Sequence, residues 1–255
     1  MFWPAGLVAR KREFLGLYNP DAFETWRQTL LLPQIPRLDW FYPPPSLLPA
    51  VLVSYLSFNI AYFVWIGLFL VLSALVLRWA RLGWGVIAAG LLSPAALWSM
   101  EMGQYAMLSN ALIVAGLLSA ARAPKSAGAL FGALLLKPQA GVLTPVSLLA
   151  TGNWCALLAG TAVVAGALAI TTLEFGWEVW RAYFQYAPAA THPTLVSGML
   201  GFERGVSVFR MVHSLGGSRS FCLVPQAGAM LGAVLLVWRI WLHPGVSVLD
   251  RATLN

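Results

Sequence analysis

The chain has 255 residues, 59% of them hydrophobic and only 10% charged, with a mean hydropathy of +0.75, whereas an ordinary soluble domain carries about 25% charged residues. This excludes a water-soluble fold and indicates a polytopic membrane protein. The net charge of +7 and the pI near 9.9 come without any aromatic-basic recognition stretch, so they point to loop orientation and anionic headgroups rather than to a nucleic-acid partner.

Uncharged runs over 40–77, 82–100, 102–121, 138–173 and 220–238 are each near or above the ~18–20 residues that cross a bilayer as a helix. None alternates apolar and polar residues as a barrel strand does, so the fold class is all-α, a polytopic transmembrane helix bundle. Residues 1–45 are expected to form an extracytoplasmic loop with one amphipathic helix near 21–32, started by Asn19-Pro20-Asp21. The transmembrane core covers 46–173. Within it a short dipping helix near 46–56 and a full helix near 58–77 are separated at Ser57-Phe58-Asn59, and helices near 84–99 and 104–121 follow. Residues 126–150 read as two short helices broken at Lys137-Pro138, because proline removes a helix bond and disfavours helix in the residue before it. A span near 154–173 leads to an extracytoplasmic loop, 174–219, with amphipathic pieces at 177–186 and 206–215. The last span and a tail occupy 220–255. Cys155 and Cys222 lie in apolar runs without metal-ligand spacing and read as packing residues.

Short loops rich in lysine and arginine face the cytoplasm. Arg78 and Arg81 mark one such loop, Arg122 and Lys125 another. The corners at Tyr42-Pro43-Pro44-Pro45, Glu101-Met102-Gly103-Gln104 and Lys137-Pro138-Gln139 then all face outward, together with the 174–219 loop. The Arg10-Lys11-Arg12 cluster also falls outside, against the rule. Lys137 is the sharpest single feature: it is the one charge in the stretch 127–151, and an ionisable residue in such surroundings is a functional-site candidate.

In this order, Tyr42-Pro43-Pro44-Pro45, Gly103-Gln104 and Ala127-Gly128-Ala129-Leu130-Phe131-Gly132 running into Lys137-Pro138-Gln139 resemble glycosyltransferase family 87. Its best-known members are polyprenyl-phosphate-mannose-dependent mannosyltransferases. Ser207-Val208-Phe209-Arg210 and Leu215-Gly216-Gly217 resemble the later loop and re-entry helix of bacterial members. The resemblance implies a GT-C-like bundle with short broken helices at its outer face, integral to the plasma (inner) membrane, with an extracytoplasmic active face. It also implies a polyprenyl-phosphate sugar donor, transfer of a mannose-like hexose, and a lipid or glycan acceptor.

In such a site Lys137, Gln104 and Arg204 would bind the donor phosphate, and Tyr42, Pro43, Pro44, Gly103, Pro138 and Gln139 would line the cavity. No cofactor and no metal is called for. The family's catalytic aspartate is expected just before Met1, because Phe2-Trp3-Pro4-Ala5-Gly6 matches the segment that follows it. Together with the short C-terminus this implies a chain truncated at both ends and leaves its activity in question. Asp39, Asp21 and Glu101 remain as candidate bases.

Each residue also has a plain structural reading. Pro43 to Pro45 open a helix, Gly103-Gln104 makes a tight turn, Lys137 snorkels to the interface, Arg204 and Arg210 meet headgroups, and His192 and His213 sit in loops. The alternative function is a multi-pass transporter or lipid-binding membrane protein, whose polar site would lie on broken helices near the bilayer midplane.

Overall fold

The computed structural model describes residues 1–30, 39–186 and 207–243. Among these the chain is helical throughout, without a strand. Three helices are long and apolar enough to cross a membrane: α5 (Phe58–Trp79), α11 (Trp154–Phe175) and the helix Arg219–Leu242. At 1.5 Å per residue, their 22 to 24 residues match the ~30 Å hydrocarbon thickness. Between them run shorter pieces: α6 (Trp84–Leu91), α7 (Pro94–Glu101), α8 (Ala106–Ser119), α9 (Pro124–Ala133) and α10 (Thr144–Ala150).

The region 46–77 resolves into a short helix, α4 (Leu47–Val53), and α5, whose N-cap is Ser57. The helix expected over 84–99 is instead two. Ser93 caps a new start, its Oγ accepting from the Ala96 N–H at 3.3 Å, and Pro94 at the first position has no N–H to continue α6.

The first thirty residues also differ from expectation. Rather than a loop with one helix, they form α1 (Phe2–Arg10), α2 (Phe14–Tyr18) and α3 (Pro20–Leu30). Asn19 starts α3 as expected, its Oδ1 accepting from the N–H groups of Asp21 and Ala22. Helix α1 packs along α4, and Gly6 allows this, because a Cβ there would run into the Ala50 carbonyl. Phe2, Ala5, Val8 and Ala9 are all buried. The basic cluster after α1 is pinned side chain by side chain. Arg10 donates to the Ser54 carbonyl and stacks 3.8 Å over Tyr55, Lys11 lies 4.2 Å over Trp26, and Arg12 donates to the Glu174 carbonyl at 3.0 Å.

A second close helix crossing joins α9 and α11. A Cβ on Gly128 would strike the Ala156 carbonyl, and one on Gly132 would lie 2.7 Å from the Gly160 carbonyl and 2.8 Å from Val163. Small residues at i and i+4 bring the backbones together, the usual device for apolar helices in lipid. Residue numbers rise together along both helices, so they run parallel. The chain therefore returns between them through the Lys137 corner and α10.

The two ends of the bundle differ in charge. At one end Arg122 donates to the Trp79 carbonyl at 3.0 Å and Asn153 to the Ala120 carbonyl at 2.8 Å, gathering Arg78, Arg81, Arg122 and Lys125 together. Every carboxylate among the described residues, from Glu13 and Asp21 through Glu101 to Glu174 and Glu178, lies toward the other end.

Replacing Gly128 by Val is expected to lower stability by about 1–3 kcal/mol through overpacking. Gly166→Val, whose Cβ meets nothing within 4 Å, should change it by no more than about 0.5 kcal/mol. Thermal unfolding in detergent reads both, and equal midpoints would remove the tight crossing.

Candidate functional site

The three corners singled out in the sequence meet at the carboxylate-bearing end. At the third corner, Leu134–Leu136 tightens into a 3-10 turn, Lys137 leaves helical geometry (φ −140°, ψ 70°) and a second turn, Pro138–Ala140, follows. The break leaves the Leu136 carbonyl without a backbone donor, and two hydroxyls take it instead: Ser46 at 2.9 Å and Tyr105 at 2.5 Å. Ser46 ends the proline turn Pro44–Ser46, and Tyr105 follows Gly103-Gln104 directly. One carbonyl thus ties all three motifs together.

The second corner is a tight turn with Gly103 at φ +64°, a left-handed conformation that glycine adopts without steric penalty. Its carbonyls are held by the Trp65 ring N–H at 3.1 Å on Gly103 and the Ser99 hydroxyl at 3.3 Å on Gln104. The Gln104 side chain faces the first corner, where the Tyr42 hydroxyl donates to Gln104 Oε1 at 2.5 Å. Burial pushes the Tyr42 phenol up to about 12, against a smaller downward pull from Gln104. Tyr42 therefore stays a neutral donor at physiological pH, and the Gln104 amide keeps its N–H groups for another partner.

Behind the corners stands an aromatic wall. The Phe2 ring centroid lies 4.5 Å from Trp65, 5.0 Å from Tyr42, 5.2 Å from Tyr105 and 5.3 Å from Trp40. Such pairs contribute about 0.5–1.5 kcal/mol each beyond area burial. Tyr18 joins from α2, donating to the Tyr42 carbonyl at 3.2 Å.

Lys137 is half-buried, and among the described residues its ammonium has neither an ion pair nor a hydrogen bond. Desolvation holds its pKa below the ordinary lysine value. Pro138 and Gln139 are exposed, whereas Pro44 is buried in the turn it opens and Pro43, its N-cap, is half-buried. Asp39 is buried next to Trp40, while Asp21 and Glu101 are exposed. Arg204 and His192 lie outside the described residues.

Sequence reading missed Trp65 and Tyr105 of the wall and Ser46, and it gave Phe2 no place beside the corners. The signal available was the density of tryptophan and tyrosine beside each corner, which sequence alone does not separate from interfacial anchoring. Conversely, Ala127 to Gly132, quoted as part of the motif, does its work in the α9–α11 crossing.

The model of glycosyltransferase family 87 matches residues 40–254, a stretch that begins at the wall residue Trp40 and takes in all three corners. No match is found among curated proteins or among solved structures. With most of its length matched and three helices long and apolar enough to cross a membrane, the chain belongs to glycosyltransferase family 87 and is a membrane glycosyltransferase.

Proposed function

We propose that the end where the three corners meet is the transfer site, that it faces the extracytoplasmic side of the plasma (inner) membrane, and that its donor is a polyprenyl-phosphate sugar. The carrying observation is Lys137: a partly desolvated cation without a counter-ion among the described residues, held on a rigid corner. A cation in this state lacks an anion, and the phosphate of a lipid-linked sugar supplies one at the membrane boundary. The short loops bearing Arg78, Arg81, Arg122 and Lys125 support the orientation, because short basic loops beside membrane helices are expected in the cytoplasm.

In this reading the acceptor hydroxyl oxygen forms a bond to the anomeric carbon of a mannose-like hexose as the bond from that carbon to the phosphate oxygen breaks. The electron pair of the broken bond leaves on the polyprenyl phosphate, where Lys137 and the Gln104 amide N–H groups stabilise it. The hydroxyl proton passes to a carboxylate. Of the described carboxylates, Asp39 is the one buried beside the wall, and we assign the proton to it ahead of Asp21 and Glu101. The acceptor is a lipid or glycan presented from the same face. Arg204 remains a candidate for the phosphate.

Lys137→Ala should lower kcat/KM for a radiolabelled polyprenyl-phosphate sugar by about 10²–10³-fold, the usual loss for one electrostatic stabiliser, with the thermal midpoint little changed. Transfer at the wild-type rate would defeat the reading. Asp39→Asn should abolish transfer where Asp21→Asn and Glu101→Gln do not, and an active Asp39→Asn enzyme would move the base elsewhere.

The pH profile gives a separate check. Deprotonating Lys137 removes the charge, so activity is lost as pH rises through its pKa. Because burial lowers that pKa, kcat/KM should fall at a pH below the ordinary lysine range. The break in kcat, measured with phosphate bound beside the ammonium, should lie higher. Lys137→Arg should remove the break, since arginine stays charged.

A further inference from the structure

A concave surface apart from the three corners opens at the same end of the molecule. It has a volume of about 540 Å³, within the ~300–1,000 Å³ of small-molecule sites, and lies between α2 and α12 (Glu178–Tyr186). Helix α12 creates one wall. Val179 and Ala182 are buried, while Glu178, Arg181 and Gln185, at positions i, i+3 and i+7, are exposed on the groove. Arg12 and Glu13 form the other wall, and Leu15, 57% exposed, supplies an apolar surface between them.

The walls are set rather than loose. Arg12 stands at φ +59°, a left-handed conformation uncommon for a residue with a side chain and a frequent companion of functional sites. Its guanidinium is tethered to the Glu174 carbonyl at 3.0 Å. Glu13 is held by the Trp26 ring N–H at 3.0 Å. In contrast, Glu178, Arg181 and Gln185 make no side-chain hydrogen bond and no ion pair among the described residues. The groove therefore offers planar donors and planar acceptors balanced in charge, two guanidiniums, two carboxylates and an amide, of which Glu178, Arg181 and Gln185 are unused among the described residues.

That balance selects the ligand class. A phosphate would meet Glu13 and Glu178, and an apolar chain would find little besides Leu15 and Phe14. A neutral polyol, each hydroxyl both donor and acceptor, matches every wall residue. The groove is also coupled to the transfer site. Tyr18, on the helix that carries Leu15 and Gly16, packs against Tyr183 of α12 with ring centroids 5.4 Å apart and donates to the Tyr42 carbonyl. We propose that this groove binds the acceptor, and that the acceptor presents a neutral oligosaccharide whose hydroxyls are read by Arg12, Glu178, Arg181 and Gln185. The assignment rests on the transferase reading above and narrows its acceptor from lipid or glycan to glycan.

The test uses the full chain in detergent, with mannotetraose as the neutral probe and inorganic pyrophosphate as the anionic one. Calorimetry should show mannotetraose binding that weakens about tenfold in Arg181→Ala and in Gln185→Ala, as expected for losing one or two polar contacts, with unchanged thermal midpoints. The acceptor KM should rise by the same factor while the donor KM stays put. Binding of mannotetraose that both variants leave intact, or binding of pyrophosphate alone, overturns the proposal. Groove-dependent oligosaccharide binding without any sugar transfer would keep the groove and sink the transferase chemistry. Transfer with an acceptor KM unmoved by either variant would do the reverse.

Discussion

The Leu136 carbonyl is the point on which the carboxylate-bearing end depends. Pro138 disfavours helix at Lys137, whose non-helical backbone turns the chain, so the Ala140 N–H that would meet this carbonyl in a helix bonds the Lys137 carbonyl instead. Among apolar helices an unpaired carbonyl costs several kcal/mol. Ser46 and Tyr105 supply two hydroxyls, and in doing so they draw the proline corner and the glycine-glutamine corner onto the lysine corner. A break that looks like a defect in one helix becomes the joint that holds three segments in register.

The parallel crossing of α9 on α11 decides where that joint can sit. Gly128 and Gly132 bring α9 against Ala156 and Gly160, and two adjacent parallel helices require a return path between them. The Lys137 corner and α10 are that path. The lysine consequently lies at a turn, half-buried, where its ammonium can reach an anion.

The basic cluster at residues 10–12 shows how tertiary contacts alter the meaning of a charge. Counted as loop charges, these three residues contradict the orientation drawn from Arg78, Arg81, Arg122 and Lys125. In the fold they serve as clamps on Ser54 and Tyr55, on Trp26 and on Glu174, and acids share their end of the bundle. The aromatic wall carries a similar lesson. Phe2, Trp40, Trp65 and Tyr105 come from four separate segments, and only their packing shows that they back one site rather than anchor four helix ends.

Hydropathy and the positions of prolines determined the helical class and the break at Lys137, and Ser57-Phe58-Asn59 the separation of α4 from α5, because backbone satisfaction in an apolar medium leaves few alternatives once composition is known; of the five runs long enough to span, only three became single long helices. The helical state of residues 2–10 was not legible, since a short segment takes its stability from the surface it buries, here α4, and not from its own pattern. The break at Ser93-Pro94 is written in the chain as a cap followed by proline, a signal that the apolar run around it masks although the fold obeys it. The choice of Tyr42 as partner for Gln104, of Ser46 and Tyr105 for Leu136, and of α12 as the second wall of the polar groove belongs to the tertiary structure alone. Those pairings join residues tens to more than a hundred positions apart, and local sequence carries no information on which distant hydroxyl will reach a freed carbonyl.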